Sequence, residues 1–161
     1  MPFEHAAMRA SIVAALVFAT PALAQHAGAT NPKPSKAEGD ARTIVSLPEP
    51  MRQHMLANMR EHLRSLQEIT AALSTGAYDK AADIAESRLG LTSLDAHGAA
   101  HLAPYLPQAM QAIGTQMHRA ASRFAVATQD ASVGNDLRPA LAALGAVMER
   151  CVACHAAYRV R

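Results

Sequence analysis

The residues best suited to chemistry stand at the C-terminal end of the chain, in the run Cys151-Val152-Ala153-Cys154-His155. Cys-x-x-Cys-His is the attachment signature of c-type haem, in which two thiols add across the vinyl groups of the macrocycle and the adjoining histidine supplies an axial nitrogen to the iron. On a helix, Cys151 and Cys154 lie three residues apart and His155 lies four from Cys151, so all three side chains project toward one side. One short segment can then hold a flat macrocycle by its edge and by its metal. Other uses of a cysteine pair fit less well. A zinc site needs four ligands, usually further cysteines or a histidine pair at matching spacing, and the chain has only two cysteines. A thioredoxin-like pair activates its first thiol at a helix N-terminus near a βαβ pattern. Here the pair sits at the far end of a helical pattern, where the dipole opposes a thiolate. A structural disulfide leaves His155 unexplained.

The segments that must position this motif are helical. Half of the 161 residues are apolar, yet only 4% are aromatic and alanine is abundant, which favours closely packed helices over sheet. The formal charge of +2 is unclustered and gives no basic patch for nucleic acid. Near the N-terminus, Arg9 precedes an apolar run from Ser11 to Thr20, followed by Pro21-Ala22-Leu23-Ala24 with the small residues of an A-x-A cleavage site. That run is shorter than the roughly 20 residues of a membrane span. Residues 1–24 are therefore expected to be a secretory signal peptide, cleaved to leave Gln25 as the first mature residue and no membrane anchor. Residues 25–45 are polar and rich in glycine and proline, the pattern of a flexible leader. Residues 46–161 form the expected domain.

Four helices are expected within that domain. The first begins near Pro48, where Ser46-x-x-Glu49 has the form of a capping box, and ends at Ser74-Thr75-Gly76. Its apolar stripe runs Leu56, Met59, Leu63, Leu66, Thr70 and Leu73, while His54, His62 and, on the third helix, His118 flank the stripes and should be partly exposed. The second runs from about Asp79 to Leu89 and stops at Gly90. After an irregular connection over 91–103, the third starts near Pro104 to Pro107 and reaches Thr128, with Gln129 to Asn135 as the next loop. The fourth spans Asp136 to Tyr158, with Leu137, Leu141, Leu144, Met148, Cys151, His155 and Tyr158 on one seam. Such periodicity with short connections gives an all-α fold, an antiparallel four-helix bundle with haem facing its interior near the C-terminal end of the fourth helix.

The ending Cys151-x-x-Cys154-His155-x-x-Tyr158-Arg159 and the Gly76-Ala77-Tyr78 turn resemble the class II c-type cytochromes, the cytochrome c prime family and its low-spin relatives, over roughly residues 46–161. The resemblance implies one covalent haem c on Cys151 and Cys154, with His155 as proximal ligand. It also implies Arg159 beside the proximal face, although a solvated cation at a helix C-terminus accounts for that residue equally well. It implies an electron carrier rather than an enzyme, redox partner proteins in the periplasm, and a possible homodimer through the first two helices. No acid–base constellation of a peroxidase is apparent.

The sixth iron position separates two functions within such a family: a methionine there makes a six-coordinate electron carrier, and an apolar residue leaves a five-coordinate site for NO or CO. The first helix carries Met51, Met55 and Met59 at every fourth position. Methionine at helical spacing is commonly core filler. Met59 falls on the seam with Leu56 and Leu63 and near where the family's distal residue would lie, which makes it the first candidate; Met55, one position off the seam, is the second. His97 and His101 have the spacing of a metal pair, but Gly98 weakens the helix that pairing requires, and one of them is an alternative distal ligand. Arg52, Arg60 and Arg64 are candidates for the haem propionates, with Arg60 preferred, or a solvated basic face.

Overall fold

The computed structural model describes residues 39–161; the expected signal peptide and most of the leader, residues 1–38, lie outside them. The fold is all-α apart from one small ribbon. Four longer helices, α1 (Glu49–Ser74), α2 (Tyr78–Leu89), α4 (Gln108–Gly134) and α5 (Arg138–Ala157), pack in series: α1 on α2, α2 on α4, α4 on α5. A short α3 (Ala99–Leu102) lies between 3-10 turns in the connection from α2 to α4.

Each helix begins and ends for a local reason. Pro48 and Pro107 precede α1 and α4 in an extended conformation (ψ 141° at both), where the missing N–H of proline costs nothing. The expected capping box does not form. Ser46 Oγ accepts a hydrogen bond from Arg161 Nε at 3.1 Å, and Glu49 instead binds Arg52 and Gln53 at 2.8 and 2.7 Å. Gly76, with φ of 71°, turns the chain from α1 into α2 in a conformation that only glycine adopts without strain. Helix α4 runs six residues past the expected stop at Thr128, because Gln129 to Val133 contain no breaker; it ends where Asn135 takes the left-handed cap at φ 52°.

The main core joins Ile69 and Leu73 of α1, Leu89 and small alanines of α2, Phe124 of α4, and Leu144 and Val147 of α5. Burying Phe124, Ile69 and Leu89 contributes roughly 1.5–3 kcal/mol each. Ala81, Ala85, Ala121 and Ala140 are fully covered and let the helix axes approach closely. Two expected seams hold only in part. On α1 the buried residues are Met55, His62, Ser65, Ile69, Ala72 and Leu73; Leu73 of the expected stripe is among them, while Thr70 is exposed and Leu63 is 70% exposed. On α5 the buried row is Ala140, Leu144 and Val147, while Leu141 and Met148 are exposed. The cause is that each of these helices carries two adjacent apolar stripes, one for its neighbour and one for another surface, and periodicity alone does not rank them.

The ribbon pairs β1 (Thr43–Val45) with β2 (Tyr158–Val160) in parallel, Thr43 opposite Tyr158. Arg161 N–H donates to the Val45 carbonyl at 3.1 Å and Leu47 N–H to the Arg161 carbonyl at 3.2 Å. Residues 43–45, the end of the expected flexible leader, are thus an ordered strand of β-branched type. Tyr158 and Arg159 belong to a strand rather than to the last turn of a helix. Val45 and Leu47 pack with Met55 and Leu102 in a second, smaller core.

Candidate functional site

A cavity of about 620 Å³ lies between α1, the 94–106 connection, α4 and α5, within the range of roughly 300–1,000 Å³ usual for cofactor clefts. Cys151, Cys154 and His155 of α5 line one part of its wall; Met55, Met59, Leu63 and Leu66 of α1 and Met110, Ile113 and Met117 of α4 line others. Leu63 and Met59 lie on the cavity side of α1; Met55 lines the cavity too while packing in the smaller core, and Ile69 belongs to the main core.

Both cysteines are free and half-buried. Burial raises the Cys151 thiol above its ordinary pKa; burial and the neighbouring Cys151 raise that of Cys154. Cys151 Sγ–H donates to the Val147 carbonyl at 3.5 Å. Thiols held protonated in this way are poor redox nucleophiles, which argues against a thioredoxin-like pair. His155 is exposed on the same stretch of helix, and its carbonyl accepts a hydrogen bond from Arg42 Nη1 at 3.4 Å. The cavity thus brings two thiols, the imidazole of His155 and several methionine thioethers to one largely apolar chamber, a donor set that a covalently attached haem would fit.

The structure brings Met55 and Met59 to this one cavity, with different surroundings. Met55 is buried at 8% exposure and packs in the smaller core, whereas half-buried Met59 lies on the cavity face. The arginines are not arranged as expected. Arg60 is exposed and lies off the cavity wall, Arg52 pairs with Glu49, and Arg64 stands 3.9 Å from Glu61. Arg159, in β2, faces Asp40 at 3.5 Å and also lies off the wall. The arginine that does line the cavity is Arg150 of α5, held by Gln116 Oε1 at 3.1 Å and by Glu149 at 3.0 Å. Its position one residue before Cys151 was the available signal.

The histidines also differ from expectation. His62 and His118, expected to be partly exposed, are buried at 8 and 7% exposure. With His97 they form a cluster on the cavity wall, while His101 is exposed and not part of it. Burial, then the neighbouring His97, His118 and His155, push His62 down to about 4; burial also lowers His97 and His118. Asn58 Nδ2 donates to the His97 carbonyl at 3.0 Å and ties the connection to α1. Among the described residues, no group of three or more His, Cys, Asp or Glu already stands at ion-binding separation. No protein-family model matches the chain, and no curated protein or solved structure matches it.

Proposed function

We propose that this chain is an exported, monohaem c-type cytochrome of class II architecture, an antiparallel four-helix bundle that carries single electrons between periplasmic redox partners. One observation carries the reading: the same cofactor-sized cavity has the Cys151-x-x-Cys154-His155 triplet and the Met59 and Met55 side chains in its lining. The haem would supply the one-electron chemistry. Cys151 and Cys154 would attach it, His155 would be the proximal ligand, and Met59 the distal one. Met55 is the second choice because its side chain already belongs to the smaller core. Leu63, Leu66, Ile113 and Met117 keep the chamber apolar, a lever that sets reduction potential together with axial-ligand identity. Arg150 places a fixed positive charge at the wall, suited to a propionate.

A second reading, a five-coordinate gas-binding protein, has one observation in its favour: Leu63, 70% exposed, shares the cavity face of α1 with Met59. A leucine opposite His155 would leave the sixth position open to CO or NO. Absorption and resonance Raman spectra of the exported protein distinguish the two. The electron-carrier reading expects low-spin iron that does not take up CO; a high-spin spectrum with ready CO binding hands the function to the gas-binding reading.

A further inference from the structure

His62, His97 and His118 come from three separate segments, α1, the turn before α3, and α4. Their ring centroids are 4.7 Å apart for His62 and His97, 5.3 Å for His97 and His118, and 6.1 Å for His62 and His118. Three imidazoles are a poor choice for plain packing, since each brings ring nitrogens that need partners. His118 satisfies one of its own: Nδ1–H donates to the Leu89 carbonyl at 2.8 Å, with the Gly90 carbonyl at 3.2 Å. That bond places the proton on Nδ1 and leaves the lone pair on Nε2, the arrangement by which a backbone carbonyl orients a metal-binding histidine. Ser93 Oγ stands 3.4 Å from Nδ1 of both His97 and His118. His62 Nε2 is sealed from solvent with no hydrogen-bond partner, the one side-chain atom of that kind among the described residues.

We infer that His62, His97 and His118 form a second metal site, taking one divalent ion of the zinc or copper class on the wall of the cavity. With metal–nitrogen bonds of about 2.0–2.1 Å, the centroids of imidazoles around one ion lie roughly 5 Å apart. The observed separations of 4.7 to 6.1 Å bracket that value. As they stand the three side chains do not hold an ion, so closing on one takes rotation of the His62 and His97 rings toward His118, whose ring the Leu89 carbonyl fixes. Three histidines leave a fourth position facing the cavity, as in open zinc sites. An ion there accounts for the orphaned His62 nitrogen and for the carbonyl behind His118 together. The inference does not rest on the haem reading, because its observations concern only the three rings and their neighbours.

The test uses the full exported chain, its haem content measured separately by haem staining after denaturing electrophoresis. The protein is stripped with a chelator and titrated with Zn²⁺ against a chromophoric competitor, then loaded with Cu²⁺ for electron paramagnetic resonance. One Zn²⁺ should bind per chain, and the copper spectrum should show coupling to several nitrogens. His62→Ala and His118→Ala should each weaken Zn²⁺ roughly 100-fold or more, the upper range even for loss of an orienting partner. His101→Ala, an exposed control, should change nothing. His97→Gln, at a half-buried position, gives the same loss without depending on the fold of the buried variants, which circular dichroism checks. Unchanged Zn²⁺ binding in His62→Ala and His97→Gln overturns the inference, as does a wild type that binds no ion. So does a change of the haem from low to high spin in His62→Ala with Zn²⁺ binding intact, which would assign His62 to the iron.

Discussion

Acid should destabilise the metal-free protein through His62, and the size of the effect follows from its burial. Burial and the charges of His97, His118 and His155 hold His62 at about 4, well under the ordinary histidine value of 6.5. The unfolded chain takes up a proton as pH falls through about 6.5, while the folded chain resists until about 4. The unfolded state therefore binds more protons throughout that window, so stability is full above it and declines as pH falls. At about 1.4 kcal/mol for each tenfold difference in proton affinity, the loss between pH 7 and 4.5 is roughly 2–3 kcal/mol. His62 is only 8% exposed, so solvent screens little of this. His97 and His118, also lowered by burial, act in the same direction. Hydrogen bonds from Arg42 to Asp40, from Gln53 and Arg52 to Glu49, and from Arg138 to Asp136 hold these carboxylates below their ordinary range, so they add to the loss at the acid end, equally in wild type and variant. The assay is urea unfolding of chelator-treated protein at pH 7 and 4.5, for wild type and for His62→Leu, which keeps the volume and removes the proton site. The wild type should lose more stability than the variant by roughly that amount. Equal losses would refute the link between this buried ring and acid sensitivity.

Other outcomes follow from single positions. Met59→Ala should convert a low-spin spectrum to a high-spin one, open the site to CO and lower the reduction potential, while Met55→Ala should loosen packing and keep the low-spin spectrum. A reversed result would give Met55 the axial role. Phe124→Ala, at 1% exposure, should cost roughly 3–5 kcal/mol in denaturant unfolding. Gly76→Ala should cost about 1–2 kcal/mol by thermal unfolding, all of it backbone strain at φ 71°, because no atom stands within 4 Å of the added methyl group.

The sequence was most legible where one apolar stripe does one job. Met117, Ala120 and Phe124 fall on α4 as periodicity expects, and the boundaries of α1 and α2 follow from proline and glycine. It was least legible where a helix has two stripes. Leu56, Met59, Leu63 and Leu66 read as the packing seam of α1, but Met59 and Leu63 face the cavity, Leu66 lies both on the cavity wall and against the main core, and the buried residues include His62 and Ser65, which hydropathy does not favour. Strands of three residues are too short to show alternation, so Thr43–Val45 passed for leader and Tyr158 for the end of a helix. The Cys151-x-x-Cys154-His155 triplet was legible because its members are contiguous in sequence. His62, His97 and His118 are brought together only by the packing of α1, α4 and the connection between α2 and α4, and nothing in their local sequence marks them as neighbours.

The most direct measurement is the intact mass and haem stain of the mature protein, produced in the periplasm of a host able to attach c-type haem, beside its Cys151→Ala/Cys154→Ala variant. The expected result is a mature chain that carries one haem through denaturation and a variant that carries none. Covalent haem persisting in the double variant, or a wild-type chain recovered only as bare polypeptide with a Cys151–Cys154 disulfide, would contradict the assignment of this cavity to haem.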